Sequence, residues 1–121
     1  LPAFCHATVA GDFIHVSGTL GTAGDSLELV EGGTGPQTTQ TLRNIDDALT
    51  KAGASAADVV RARYMLPNAD DFEACWPSLR RYFGEALPAA TMTVVGLADP
   101  RMRIEIEVTA RHGRFAAPRI P

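Results

Sequence analysis

Lysine is almost missing from this chain: Lys51 stands alone, and every other basic side chain is an arginine, scattered among fourteen carboxylates. The net charge is −3 and no basic run occurs, so the sequence lacks the clustered cations that nucleic-acid backbones require. A nucleic-acid partner, and with it a ribonuclease role, is disfavoured on charge alone. Cysteine is nearly as scarce. Cys5 and Cys75 belong to no Cys-x-x-Cys pair and no Cys/His cluster, which argues against a metal site, and without a secretory segment they read as reduced thiols of a cytoplasmic protein. No apolar run approaches the ~20 residues that span a bilayer, so no membrane partner is expected. Gly18, Gly21 and Gly24 lack the Gly-x-Gly-x-x-Gly spacing ahead of an apolar helix, which removes a dinucleotide site.

What the chain does have is length enough for one core and a clear alternation near its end. Its 121 residues read as a single domain, 1–121, that folds without disulfides or metal. From Met102 to Ala110 the residues Met102, Ile104, Ile106, Val108 and Ala110 alternate with Arg103, Glu105, Glu107 and Thr109, the period-two pattern of a strand with one buried face. Thr91 to Leu97 is a second β-branched run, and Ala98-Asp99-Pro100 between the two is turn-prone, so an antiparallel hairpin is expected.

Earlier in the chain, Ala7–Val9 and Phe13–Gly18 read as strands joined at Gly11-Asp12, with Phe13, His15 and Ser17 on one side of the second. Ser26 to Val30 reads as a third short strand. Pro36 suits a first helical position, and Leu42, Ile45, Leu49 and Ala52 form an apolar stripe that Gly53 terminates. Ser55 to Asp58 resembles a capping box before a strand over Val59–Leu66, whose alternation sets Val60, Ala62, Tyr64 and Leu66 against Arg61 and Arg63. Asp70 is placed to cap a second helix, running to about Gly84, with Phe72, Cys75, Trp76, Leu79 and Phe83 buried and Pro77 as a kink or early break. The order gives an α+β two-layer domain, a mixed sheet with two helices on one face. The uncovered face, carrying Arg61, Arg63, Glu105 and Glu107, points to self-association.

Several stretches, in order and over nearly the whole chain, resemble the RidA (YjgF/YER057c/UK114) family. They are Phe13 to Gly18, Gln37 to Ile45, Ala52 to Val60, Asp70-Asp71-Phe72, Tyr82-Phe83-Gly84, Pro88-Ala89 and Ile104-Glu105-Ile106-Glu107. The resemblance implies a chorismate-mutase-like (YjgF-like) fold assembled as a homotrimer, with ligand clefts between neighbouring subunits. The best-studied members hydrolyse enamines and imines derived from amino acids to 2-oxo acids and ammonia, and no metal or organic cofactor is implied. It implies that Glu105 orients the attacking water and that Ser17, before Gly18, lines the pocket. Three positions depart from the family pattern. Ala90 stands where an arginine holds the substrate carboxylate, Phe4 where a tyrosine lines the pocket, and Trp76 where an asparagine does.

A bidentate charge-assisted pair to a carboxylate contributes roughly 1.5–3 kcal/mol, and alanine offers no donor, so standard 2-aminoacrylate deamination is not expected. With Thr91 and Met92 beside Ala90, the lining of Phe4, Trp76 and Met92 favours an apolar or aromatic substrate without the usual carboxylate. His6 is a candidate proton shuttle near neutral pH. Cys5 and His6, adjacent on an extended segment, face opposite ways and form no dyad. Glu105 also has a plain structural reading, as a cross-strand partner of Arg61 or Arg63. Two functions follow: an enzyme acting on an imine, enamine or related small metabolite by hydrolysis or proton transfer, or a non-catalytic trimeric small-molecule-binding or interaction protein.

Overall fold

A computed structural model describes residues 3–84, 86–112 and 119–121. Strands β1 (Ala7–Ala10) and β2 (Phe13–Thr19) form a hairpin whose turn passes through Gly11 at φ 60°, a left-handed angle that glycine adopts without steric cost. Helix α1 (Thr34–Lys51) and strand β3 (Val59–Leu66) follow, then helix α2 (Phe72–Phe83), strand β4 (Ala89–Val94) and strand β5 (Glu105–Arg111). The five strands make one mixed sheet in the order β1-β2-β5-β3-β4. Both helices cover one face, and the core between the layers contains Ile14, Val16, Leu42, Ile45, Leu49, Ala62, Leu66, Leu79 and all four inward residues from Ile104 to Ala110.

The expected hairpin of residues 91–97 with 102–110 does not form. β4 runs parallel to β3 (Arg61↔Ala89 to Leu66↔Val94), and β5 lies antiparallel between β2 and β3. Two effects decide this. β3, α2 and β4 form a strand-helix-strand crossover, which sets consecutive strands parallel and adjacent. And β5, whose Ile106 and Ala110 are fully buried together with Ile104 just before it, gains most from a central position, whereas β4 is largely exposed and suits an edge. The turn chemistry at Asp99-Pro100 is nonetheless real: the Met102 N–H donates to the Asp99 carbonyl at 3.0 Å and the Asp99 side chain accepts from the Arg101 N–H at 2.8 Å.

Other departures are local. Ser26–Val30 forms no strand, only a single bridge of Leu29 to Thr22. Helix α1 begins at Thr34, so Pro36 is its third residue; its missing N–H is still one of the four a helix start leaves unpaired. At the other end Gly53, at φ 83°, closes the helix with its N–H on the Thr50 carbonyl and the Ala54 N–H on the Leu49 carbonyl. A bulge between Val59 and Arg61 buries Val59 instead of Val60. The Asn68 side chain, not that of Asp70, caps the turn before α2, accepting from the Asp70 N–H at 3.0 Å. Pro77 causes no break, because α2 continues to Phe83. Phe72 and Trp76 are not core: they are 36% and 49% exposed, and their rings meet at a tilt of 56° with centroids 5.6 Å apart.

One buried amide ties the helical layer to the entry of β5. Gln37 of α1 donates through Nε2 to the Arg101 carbonyl at 2.9 Å and accepts at Oε1 from the Arg103 N–H at 2.9 Å. Removing it strands two backbone groups in a partly buried place. We expect Gln37→Leu to lower unfolding free energy by about 2 kcal/mol, read by chemical denaturation; a loss below about 0.5 kcal/mol would show that the clamp contributes little.

Candidate functional site

Register decides which nominated residues can meet. Side chains opposite each other on paired strands share a face, so Ala90, opposite Ala62, and Met92, opposite Tyr64, lie on the helix-covered side. Thr91 is opposite Arg63 and accepts from Arg61 Nη2 at 2.7 Å, on the open side. Glu105, opposite Met65, and Ser17 are on the open side too. Trp76 is on α2, in the helical layer. One protomer therefore gathers Glu105, Ser17, Gly18 and Thr91 on one face and Ala90, Met92 and Trp76 on the other.

At the start of β5, Glu105 lies against Gly18. A methyl carbon built on Gly18 would come within 2.6 Å of Glu105 Oε2, so the carboxylate occupies space that only glycine leaves free. Its neighbour Glu107 is paired with Arg63 at 3.5 Å. Glu105 has no ion pair among the described residues, and Arg61 is engaged with Thr91. The cross-strand pairing open to either glutamate in the sequence thus falls to Glu107. Burial first, and the nearby Glu107 charge second, raise the Glu105 carboxyl above the ordinary glutamate value.

Ser17 has a tethering role. Its N–H donates to the His6 carbonyl at 2.9 Å and its hydroxyl to the Cys5 carbonyl at 2.5 Å, which straps the segment carrying Phe4 and His6 alongside β2. Phe4 is 70% exposed and His6 is exposed. Cys5 points its thiol at the Ala7 carbonyl, 3.3 Å away, and Cys75 is a separate buried thiol, pushed up to about 11 by desolvation. The arginines nearest β5 in sequence are also engaged: Arg101 grips Asp99 at 3.0 and 2.7 Å, holding that carboxyl down at about 2, and Arg103 lies 3.9 Å from Asp71.

The open face has a concavity of about 260 Å³ lined by His15, Arg61, Arg63, Glu107 and Thr109 among others. None of the nominated residues lines it. Alternation placed these side chains on the outer face, but nothing in the sequence marked a hollow there. Among the described residues no group of histidine, cysteine and carboxylate side chains is arranged to hold a metal, and no helix is long and apolar enough to cross a membrane.

Comparison with known proteins bears on this arrangement. A family model described as Endoribonuclease L-PSP matches residues 1–112. A 2-iminobutanoate/2-iminopropanoate deaminase from Rattus norvegicus is 33% identical over 113 residues, 93% of this chain and 82% of the relative. Among solved structures, RidA from an Antarctic Psychrobacter superposes with a TM-score of 0.85 at 27% identity, covering 92% of this chain and 89% of that one. A YjgF/YER057c/UK114 family member from Mycobacterium tuberculosis gives a TM-score of 0.76 at 32% identity, with 89% and 86% covered.

A raised carboxyl stabilises the fold only while protonated, so its contribution is complete below the unfolded value of ~4.3 and is lost as pH rises through the higher folded value. Glu105→Gln is therefore expected to melt at or above the parent temperature at pH 7, with the difference closing below pH ~4. A clear loss of stability at pH 7 would mean that the charged carboxylate has a stabilising partner.

Proposed function

The chain belongs to the RidA (YjgF/YER057c/UK114) family, and from that premise we propose that it is an enzyme of imine or enamine hydrolysis in which Glu105 moves the proton. The observation that carries this reading is the contrast between two neighbouring carboxylates: Glu107 is paired with Arg63, while Glu105 is left without an ion pair among the described residues, raised by burial and held against Gly18. A group whose proton affinity is shifted toward neutrality suits general acid-base work. Glu105 takes a proton from water as its oxygen bonds to the imine carbon, then delivers it to nitrogen. Glu105 then takes the hydroxyl proton of the resulting carbinolamine and passes it to the nitrogen as the carbonyl forms and the carbon–nitrogen bond breaks, so that ammonia leaves. A relative named for deaminating 2-iminobutanoate and 2-iminopropanoate supports the reaction class. The chemistry asks for no metal and no organic cofactor.

The division of candidate residues between two sheet faces supports a cleft formed between protomers, one giving Glu105, Ser17 and Thr91 and its neighbour giving Ala90, Met92 and Trp76. The homotrimer expected for this family is the assembly we propose. In that cleft Ser17 anchors the segment bearing Phe4 and His6, and Ala90 leaves substrate carboxylates without a guanidinium. The preferred substrate is accordingly a small imine or enamine whose body is apolar, with 2-aminoacrylate a poor one.

The same Ala90 favours a second reading, a trimeric binder or interaction protein that has kept the architecture without the reaction. Ammonia release from a panel of imines separates the two. For the enzyme, Glu105→Gln lowers kcat by at least about 100-fold with little change in KM. Substrate analogues that bind parent and variant equally, with no turnover by either, would establish the binder. Ala90→Arg is expected to raise kcat/KM for carboxylate-bearing imines about tenfold or more. No gain would place the substrate carboxylate elsewhere.

A further inference from the structure

The basic residues of this chain are mostly occupied. Lys51 pairs with Asp47, Arg63 with Glu107, Arg101 with Asp99 and Arg103 with Asp71, while Arg61 donates to Thr91. Arg43, Arg80 and Arg81 have no such partner among the described residues, and of these Arg43 and Arg81 line one hollow of about 310 Å³ between α1 and α2. Two like charges lining one cavity disfavour each other, a cost that a bound anion would reduce.

The rest of the cavity fits the same ligand. In its lining Thr39 Oγ1 and Ser78 Oγ are 2.8 Å apart, so one hydroxyl donates to the other and the second keeps its own proton for a further acceptor. Ser78 is buried, which fixes that hydroxyl in the wall. The Tyr82 hydroxyl donates to Asp46 at 2.8 Å; burial and that bond raise the phenol well above its ordinary value, so it stays protonated and adds no charge. Leu42 and the Tyr82 ring supply apolar surface to the lining.

We propose that this inter-helix hollow is a binding site for a phosphate group, held by Arg43 and Arg81 with the Thr39/Ser78 hydroxyl pair as third donor. Two guanidiniums and a hydroxyl supply more donors than the two oxygens of a carboxylate engage, and suit the several oxygens of a phosphate. The volume is about ten times the ~30 Å³ share of one water, so a small organic body attached to the phosphate fits over Leu42 and Tyr82. The hollow shares no residue with either half of the proposed catalytic cleft, so the site is distinct from it.

Calorimetric titration of the full chain with inorganic phosphate and with glycerol phosphate, at ionic strength matched by sodium chloride, tests this. Saturable binding of either is expected. A tighter Kd for glycerol phosphate identifies a phosphate monoester as the ligand, and equal values identify the ion. Arg81→Gln should weaken binding about tenfold or more and Arg43→Gln/Arg81→Gln should abolish it, with melting temperature in chloride unchanged and Glu105→Gln binding like the parent. No heat beyond the chloride control, or equal binding by the double variant, would overturn the proposal.

Discussion

Everything in this molecule depends on where β5 sits. Ile104, Ile106, Val108 and Ala110 leave water almost completely, and at roughly 25 cal/mol per Å² of apolar surface this burial is a major contribution to the core. A strand with that inner face belongs between two others. Once it is inserted between β2 and β3, the alternation of the pleat projects Glu105, Glu107 and Thr109 from the opposite face with no freedom to choose. The carboxylates on the open face are thus a consequence of core packing, and Gln37 and the Asp99 turn fix the segment that leads into them.

From that frame two chemically identical side chains acquire different characters. Glu107, one pleat further along, faces Arg63 across the strand and forms an ordinary exposed pair of modest energy. Glu105 faces Met65, lies beside Gly18, and gains burial without an ion pair among the described residues. The fold bears the cost of desolvating a charge that none of the described cations pairs with. Such a cost is common where a proton must be exchanged with a ligand and uncommon where a carboxylate serves stability alone.

Much of this was legible in the sequence because it depends on local rules. The period-two run ending at Ala110, the apolar stripe Leu42-Ile45-Leu49, the glycine closing α1 and the Ser55–Asp58 box are all set by a few neighbouring residues. Partner choice is not local. Residues 91–97 and 102–110 look like a hairpin because they are consecutive, yet strand order is decided by the β3-α2-β4 crossover and by which strand most needs the centre. Phe72 and Trp76 show another limit: helical spacing marks a stripe, but only the packed structure says where the covered part ends, and these two fall beyond it. The division of Ala90 and Glu105 between opposite faces follows from the parallel register of β3 and β4, a non-local pairing, and it means that one protomer alone does not bring the two together.

The central claim is that Glu105 carries its charge at a cost, and the most direct measurement is the titration of its own carboxyl carbon by NMR in selectively labelled protein, with Glu107 as an internal reference. The account predicts a midpoint for Glu105 above the ordinary glutamate value of ~4.3 and above that of Glu107. A midpoint at or below the ordinary value would show that the carboxylate is solvated or paired, and the proposed role would have no physical basis.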